Sequence, residues 1–280
     1  CMCSWFKAVP LVLLAGTSWA DKGDFVVGGG VEADNADGVA VTAFGDVSIS
    51  DDTRLSGAIA RSDVDLSLRE GFETLYGSLD VDHRFDPLGV RVGYVYWGDA
   101  DVLDSRGWRA SAYWSRERFS LSANYEFRDF EFDIPSLGQF PGRTGDFDAD
   151  GVGLNLFVGI GESVDLSLGG MSYDYSVNVS INQDRGIAEL VSVSRLSLIN
   201  SLVDYSAYLT LGLDDDLRRW ELDLSTREGA VDGDRADAIT LRFLTPLGDS
   251  SDIEFGLGID DSELYGNATF FSVFVYFYGT

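Results

Sequence analysis

From about residue 24 onward, apolar and polar residues alternate one by one. In "FSLSANYEFR", Phe119, Leu121, Ala123, Tyr125 and Phe127 share one face, and Ser120, Ser122, Asn124, Glu126 and Arg128 share the other. "WELDLS" sets Trp220, Leu222 and Leu224 against Glu221, Asp223 and Ser225. "IEFGLGID" sets Ile253, Phe255, Leu257 and Ile259 against Glu254, two glycines and Asp260. A repeat of two belongs to strands, since a helix returns to the same face only every 3.6 residues. The pattern predicts about 14 strands, within a range of about 12 to 16. They fall at 24–32, 38–49, 53–61, 72–83, 89–97, 107–114, 118–130, 150–160, 163–180, 195–212, 217–225, 237–246, 251–259 and 268–279. The least regular stretch is 163–212, where a phase slip at Gly169-Gly170 predicts a bulge. "GIAELVSVSR" either extends the tenth strand or forms another.

Short breaks near 50, 86, 115, 160, 213 and 248 alternate with longer polar ones at 33–38, 62–71, 98–106, 131–149, 181–190, 226–236 and 260–267. Turns short on one side and long on the other are the mark of an up-and-down membrane barrel. A soluble sandwich is the competing arrangement, with its apolar faces in a dry core. The polar faces here mix both charge signs with Gly, Ser and Thr, as a filled lumen requires. The fold class read from the chain is therefore all-β: a transmembrane up-and-down antiparallel β-barrel over 21–280.

Ahead of it, "CMCSWFKAVPLVLLAGTSWAD" reads as a secretory signal peptide over 1–20. Lys7 is its positive region, Ala8 to Gly16 its apolar stretch, and Ser18-Trp19-Ala20 its cleavage site. The two cysteines, Cys1 and Cys3, both lie in this segment, so neither a disulfide framework nor a thiolate metal site is expected.

Composition narrows the picture. The chain carries 47 Asp+Glu against 20 Lys+Arg, a net charge of −27. Such a surface repels phosphates, so no nucleic-acid partner is expected. Lysine occurs only at 7 and 22, leaving arginine to carry the positive charge. Arginine forms multidentate pairs with carboxylates, which suits an enclosed polar space. Against this acidity, the last eleven residues from Phe270 hold six aromatics and no charge.

An export signal, no later cysteine, alternating strands and an aromatic last strand together resemble Gram-negative outer-membrane β-barrel proteins, and among them porin-like ones. The resemblance covers about residues 24–280 and rests on pattern. It implies the cell outer membrane as location. It also implies outer-membrane lipid and lipopolysaccharide as surroundings, the outer-membrane barrel assembly machinery as a partner, and small hydrophilic solutes as cargo. It further implies an assembly signal in the last strand, carried by Phe271, Val273, Val275, Tyr276, Phe277 and Tyr278, with Gly279-Thr280 following the last aromatic. Trp97, Trp108, Trp114, Trp220, Tyr276 and Tyr278 are expected to form girdles at the membrane interfaces.

The register points Asp80, Asp82, Arg84, Arg91, Arg109, Glu126, Arg128, Asp204, Arg219, Glu221, Asp223, Arg242 and Glu254 into the lumen. Acidic and basic residues opposed across a pore set up a transverse field and an ion preference. Pairing among them could instead plug the pore. The long segment 131–149, with Phe132, Ile134, Leu137 and Phe140, is the candidate constriction loop if it folds into the pore, and a surface loop otherwise. The single histidine, His83 in "DVDHRFDPLG", is expected to bond neighbouring carboxylates at the rim rather than to serve a Ser/His/Asp site. "GDFDADG" (145–151) has the alternating Asp146, Asp148 and Asp150 of a calcium loop. Phe157 stands where that loop needs a terminal Glu, so a solvated loop is the better reading. Glycine-rich "VGGGVEAD" has no helix after it and is a strand, not a phosphate loop. No cofactor, metal or enzymatic activity is expected. The function expected is a channel for passive diffusion of small hydrophilic solutes or ions, cation-preferring through the summed acidic field. The alternative is a non-conducting barrel that presents acidic surface loops in an adhesive or structural role.

The last strand has to be recognised and paired for the sheet to close. Phe277→Ala, or deletion of 276–280, is expected to lower the fraction of heat-modifiable barrel recovered from membranes. Unchanged insertion would contradict the barrel assignment.

Overall fold

In the computed structural model, fourteen antiparallel strands close into one barrel in simple up-and-down order. The residues described are 23–35, 38–64, 72–99, 103–134, 143–176, 202–215, 217–230, 233–263 and 266–279. The strands are β1 (Phe25–Asp34), β2 (Val39–Ser50), β3 (Thr53–Val64), β4 (Phe72–Arg84), β5 (Leu88–Asp99), β6 (Leu103–Arg116), β7 (Phe119–Ile134), β8 (Arg143–Ile160), β9 (Val164–Tyr175), β10 (Val203–Asp215), β11 (Arg218–Gly229), β12 (Arg235–Gly248), β13 (Ser251–Ser262) and β14 (Gly266–Gly279). Count and order follow the alternation. The signal peptide and "GIAELVSVSR" lie outside the described residues.

Closure joins β1 to β14, from Phe25 opposite Gly279 to Asp34 opposite Phe270. Every strand therefore has two neighbours, and the sheet has no edge to leave unpaired backbone in hydrocarbon. Gly279 lies inside this ladder, so the residues after the last aromatic are not all overhang.

One face of each strand is apolar and open. Val41, Ile59, Leu79, Val152, Leu154 and Leu257 are all more than half exposed, Leu154 at 62%. In water such side chains would forfeit about 25 cal/mol per Å² of apolar area. A continuous band of them is a surface made for lipid. Trp108, Trp114 and Trp220 lie on it, Trp114 against Phe119 and Trp220 against Phe243. Three of the expected girdle residues do not. Trp97 is buried inside, Tyr276 bonds Glu254 and Tyr278 bonds Asp252 on the inner face. They fall there by parity, since Val92 and Tyr94 take the lipid side on β5 and Val275 and Phe277 on β14.

Two further expectations are corrected. β9 pairs regularly with β8 and β10 through Gly169 and Gly170, without a bulge. The irregularity in this region lies at Val203/Tyr205 of β10 instead. The constriction loop at 131–149 is mostly strand: β7 runs to Ile134, and β8 has 18 residues starting at Arg143. Leu137 and Phe140 lie outside the described residues. A lipid span needs only about 9–11 residues, so β7 and β8 project beyond the bilayer, and there the alternation inverts. Asp129, Glu131, Asp146, Asp148 and Asp150 take the outer face. Inside, Phe130 (0% exposed) stacks on Phe147 at 4.8 Å, with Ala149, Leu202 and Tyr175 around them. Outside the membrane the wall is wet on its outer side, so its greasy face turns inward. A polar run that resembles a loop is a strand that has left the lipid.

This inversion sets opposite tolerances. Leu154→Arg is expected to cost about 2–4 kcal/mol if it stands near the bilayer midplane. Asp148→Arg, beyond the lipid, is expected to stay within about 0.5 kcal/mol. Denaturant unfolding from lipid vesicles measures both.

Candidate functional site: the charged lumen wall

The inner face of the short-turn half is lined by charge. Apart from Asp204, every lumen residue expected from the sequence takes part in this inner wall. Asp204 stands exposed at the β10 irregularity. Asp46, Arg54, Asp165, Asp214, Asp252, Tyr113 and Tyr173 join the wall and were missed. Their signal was present, since Asp46 and Arg54 sit beside outward Val47 and Leu55 in the same two-residue rhythm.

On β2 to β6, three aspartates hold three arginines. Arg54 Nε donates to Asp46 Oδ1 at 2.8 Å, Arg91 Nε to Asp82 Oδ2 at 2.9 Å, and Arg109 Nε to Asp80 Oδ1 at 2.6 Å. Tyr113 Oη also donates to Asp82, at 2.6 Å. The arginine side chains are 26%, 37% and 36% exposed, their aspartates only 4%, 9% and 5%. The lumen therefore meets guanidinium on this wall, with the carboxylate tucked behind. Arg84, at the rim, reaches Asp86 of the adjoining turn at 3.1 Å.

On β9 to β13 the balance reverses. Arg219 donates to Glu221 Oε1 at 2.7 Å, to both oxygens of Asp165 at 2.8 and 3.0 Å, and to Asp214 Oδ2 at 2.8 Å. Arg242 holds Asp223 at 2.8 Å and Glu221 at 2.9 Å. Glu254 and Asp252 accept from Tyr276 at 3.1 Å and Tyr278 at 2.8 Å, with tyrosines rather than arginines as donors. Two arginines thus serve Asp165, Asp214, Glu221 and Asp223, while Asp252 and Glu254 have tyrosine donors. In a closed ring of fourteen, β4 and β11 stand diametrically opposite. A wall presenting guanidinium faces a wall with a surplus of carboxylate. The ion pairs run along the walls, not across the lumen. Between the walls, Arg128 holds Glu126 at 2.9 Å, and its guanidinium lies 4.5 Å from the Tyr173 ring centre.

His83 is not part of this wall. It lies on the outer face, accepts from or donates to Thr53 Oγ1 at 2.8 Å and packs edge-on against Phe85. The expected bonds to neighbouring carboxylates do not form, because adjacent Asp82 and Arg84 point inward by the strand's alternation. Asp146, Asp148 and Asp150 lie along one extended strand, where alternate residues are about 6.5–7 Å apart. They do not converge on one ion. Among the described residues, no group of three or more His, Cys, Asp or Glu is arranged to hold a metal.

No protein-family model matches the chain, and no curated protein matches it. Solved structures do. The CymD monoaromatic hydrocarbon channel is similar at a TM-score of 0.61 and 7% identity, over 99% of this chain and 94% of that one. A TodX monoaromatic hydrocarbon channel lacking S2 and S3 gives 0.56 at 9% identity, over 99% and 95%. A Pseudomonas aeruginosa FadL homologue gives 0.54 at 9%, over 99% and 98%. The shared feature is the fold, a closed antiparallel β-barrel.

Arg219 is 9% exposed among carboxylates that are 11% exposed at Asp165 and Glu221. Arg219→Met is expected to destabilise the barrel by about 3–5 kcal/mol, because it strands buried charge. Arg61→Ala, which breaks an exposed outer pair with Glu73, is expected to cost at most about 1 kcal/mol. Unfolding midpoints of the two variants test the contrast.

Proposed function

We propose that the protein is a porin-like channel of the cell outer membrane, passing small hydrophilic solutes or ions by passive diffusion with a preference for cations. The observation that carries this reading is the two-sided lumen wall. Ion pairs that run along the wall rather than across the lumen favour an open axis, and the surplus of carboxylate on β9 to β13 favours cations. The fold supports a channel, and the lipid-facing band supports a membrane location. The signal-peptide pattern at 1–20 supports export, and the apolar last strand supports recognition by the barrel assembly machinery. Lipid and lipopolysaccharide are then the outer surroundings. Two of the similar structures are channels for monoaromatic hydrocarbons. The charged lower lumen here favours hydrophilic cargo instead. No step of this function calls for a cofactor or a catalytic group.

The aromatic cluster of Phe130, Phe147 and Tyr175 at the outer end favours a second reading, a non-conducting barrel that displays the acidic strand ends. Planar-bilayer recording in a salt gradient separates the two. The channel reading expects unitary steps and a reversal potential of cation-selective sign, weakened by Asp252→Asn/Glu254→Gln and strengthened by Arg91→Gln/Arg109→Gln. Folded protein without steps, or with anion selectivity, would count against it.

A further inference from the structure

The ion pairs that shape the lumen do not join adjacent strands only. Arg109 on β6 reaches Asp80 on β4 across β5, and Arg219 on β11 reaches Asp165 on β9 across β10. At each crossing the middle strand presents an inward glycine. Gly93 stands between Asp80 and Arg109 in the pairing register, and Gly212 between Asp165 and Glu221, beside Arg219. A Cβ on Gly93 would lie 2.7 Å from Asp80 Cγ, and one on Gly212 would lie 2.6 Å from both carboxylate oxygens of Asp165. Real Cβ atoms do not approach that closely, so the bridging side chains would have to lift. The same device recurs without charge. Tyr173 lies over Gly151 and Tyr113 over Gly89, each with a ring carbon within 2.5 Å of where a Cβ would stand. Gly77, on the lipid face of β4, has nothing within 4 Å of such a Cβ. Glycine is thus placed where a bridge crosses, and backbone freedom is not the reason at these positions, which carry no positive φ.

We propose that Gly93 and Gly212 are selectivity-determining positioning residues: saddles over which a cross-strand ion pair lies flat, so that the lumen stays wide and meets a guanidinium edge on one wall and carboxylate on the other. A methyl group at either saddle lifts the pair into the lumen. It narrows the path and moves the charge that a passing solute meets. The consequence for conduction rests on the channel reading, but the packing of the pair over the glycine does not.

The experiment has two arms, each on the full-length protein assembled in membranes. In the first, Gly93→Ala is made in the native chain and in an Asp80→Ala/Arg109→Ala chain, and thermal midpoints are read from heat-modifiable migration. The saddle expects a clear fall in the native background and less than half that fall where the pair is gone. Equal falls in both, or none in the native chain, would overturn it. If Gly93→Ala fails to assemble in the native chain, recovery of the barrel in the pair-free chain supports the saddle, and failure in both overturns it. In the second arm, single-channel recording expects about two-fold lower conductance and a shifted reversal potential for Gly93→Ala and Gly212→Ala, with Gly77→Ala unchanged. A conducting wild type whose saddle variants match it in both readouts would overturn the selectivity role. A silent wild type would count against the channel reading alone, and the first arm still decides the saddle.

Discussion

The whole structure depends on the absence of hydrogen-bond partners in hydrocarbon. Each unpaired backbone group would cost several kcal/mol there, so a spanning sheet has to meet its own beginning. Here that is the meeting of β14 with β1. Val275 stands between Ile253 on one side and Gly29 on the other, and Phe277 between Ser251 and Val27. The glycines of β1 serve this seam directly. Phe44 and Phe274 lie over Gly28 and Gly30, whose positions a side chain could not share with those rings. A run that resembles a flexible glycine loop is the flat strip on which the seam's aromatics rest.

Closure creates two solvents for one sheet, and their boundary moves along the strands. Within the bilayer, Leu121 and Val152 face lipid while Ser120 and Gly153 face the lumen. Beyond it, Asp129 and Asp148 face water while Phe130 and Phe147 pack inside. The lumen's lower half, between polar walls, uses arginine as its positive partner throughout the described pairs. The planar fork of arginine can lie along a wall and bind two strands' carboxylates at once, as Arg219 does with Asp165 and Glu221. Width and charge pattern are thereby set by the same contacts. The charge excess on β9 to β13 and the guanidinium edges on β3 to β6 both follow from which partner is tucked behind.

Much of this was legible from the alternation alone. Strands such as β7 and β13 declare both faces, and parity places Glu126, Arg242 and Glu254 inside without any coordinates. Parity also decides Tyr276 and Tyr278, yet an aromatic near a strand end reads as a girdle residue until its neighbours, Val275 and Phe277, are given the lipid. The stretch around 131–149 was misleading for a physical reason. Alternation identifies a strand only when the solvent on each side is known, and the same rhythm with its sense inverted looks like polar loop. The bridges across Gly93 and Gly212 were not legible at all, because they join strands two apart and need the register of three ladders together.

The central claim is that the inner face is wet and the outer face is not. The chain has no cysteine after Cys3, so in a Cys1→Ser/Cys3→Ser background single cysteines report on one position each. Ser111 lies inward opposite Arg91, and Ala110 lies outward opposite Val92. A water-soluble, membrane-impermeant thiol reagent applied to the assembled barrel should modify Ser111→Cys and spare Ala110→Cys. Modification of Ala110→Cys with Ser111→Cys protected, or protection of both, would contradict a water-filled, charge-lined lumen.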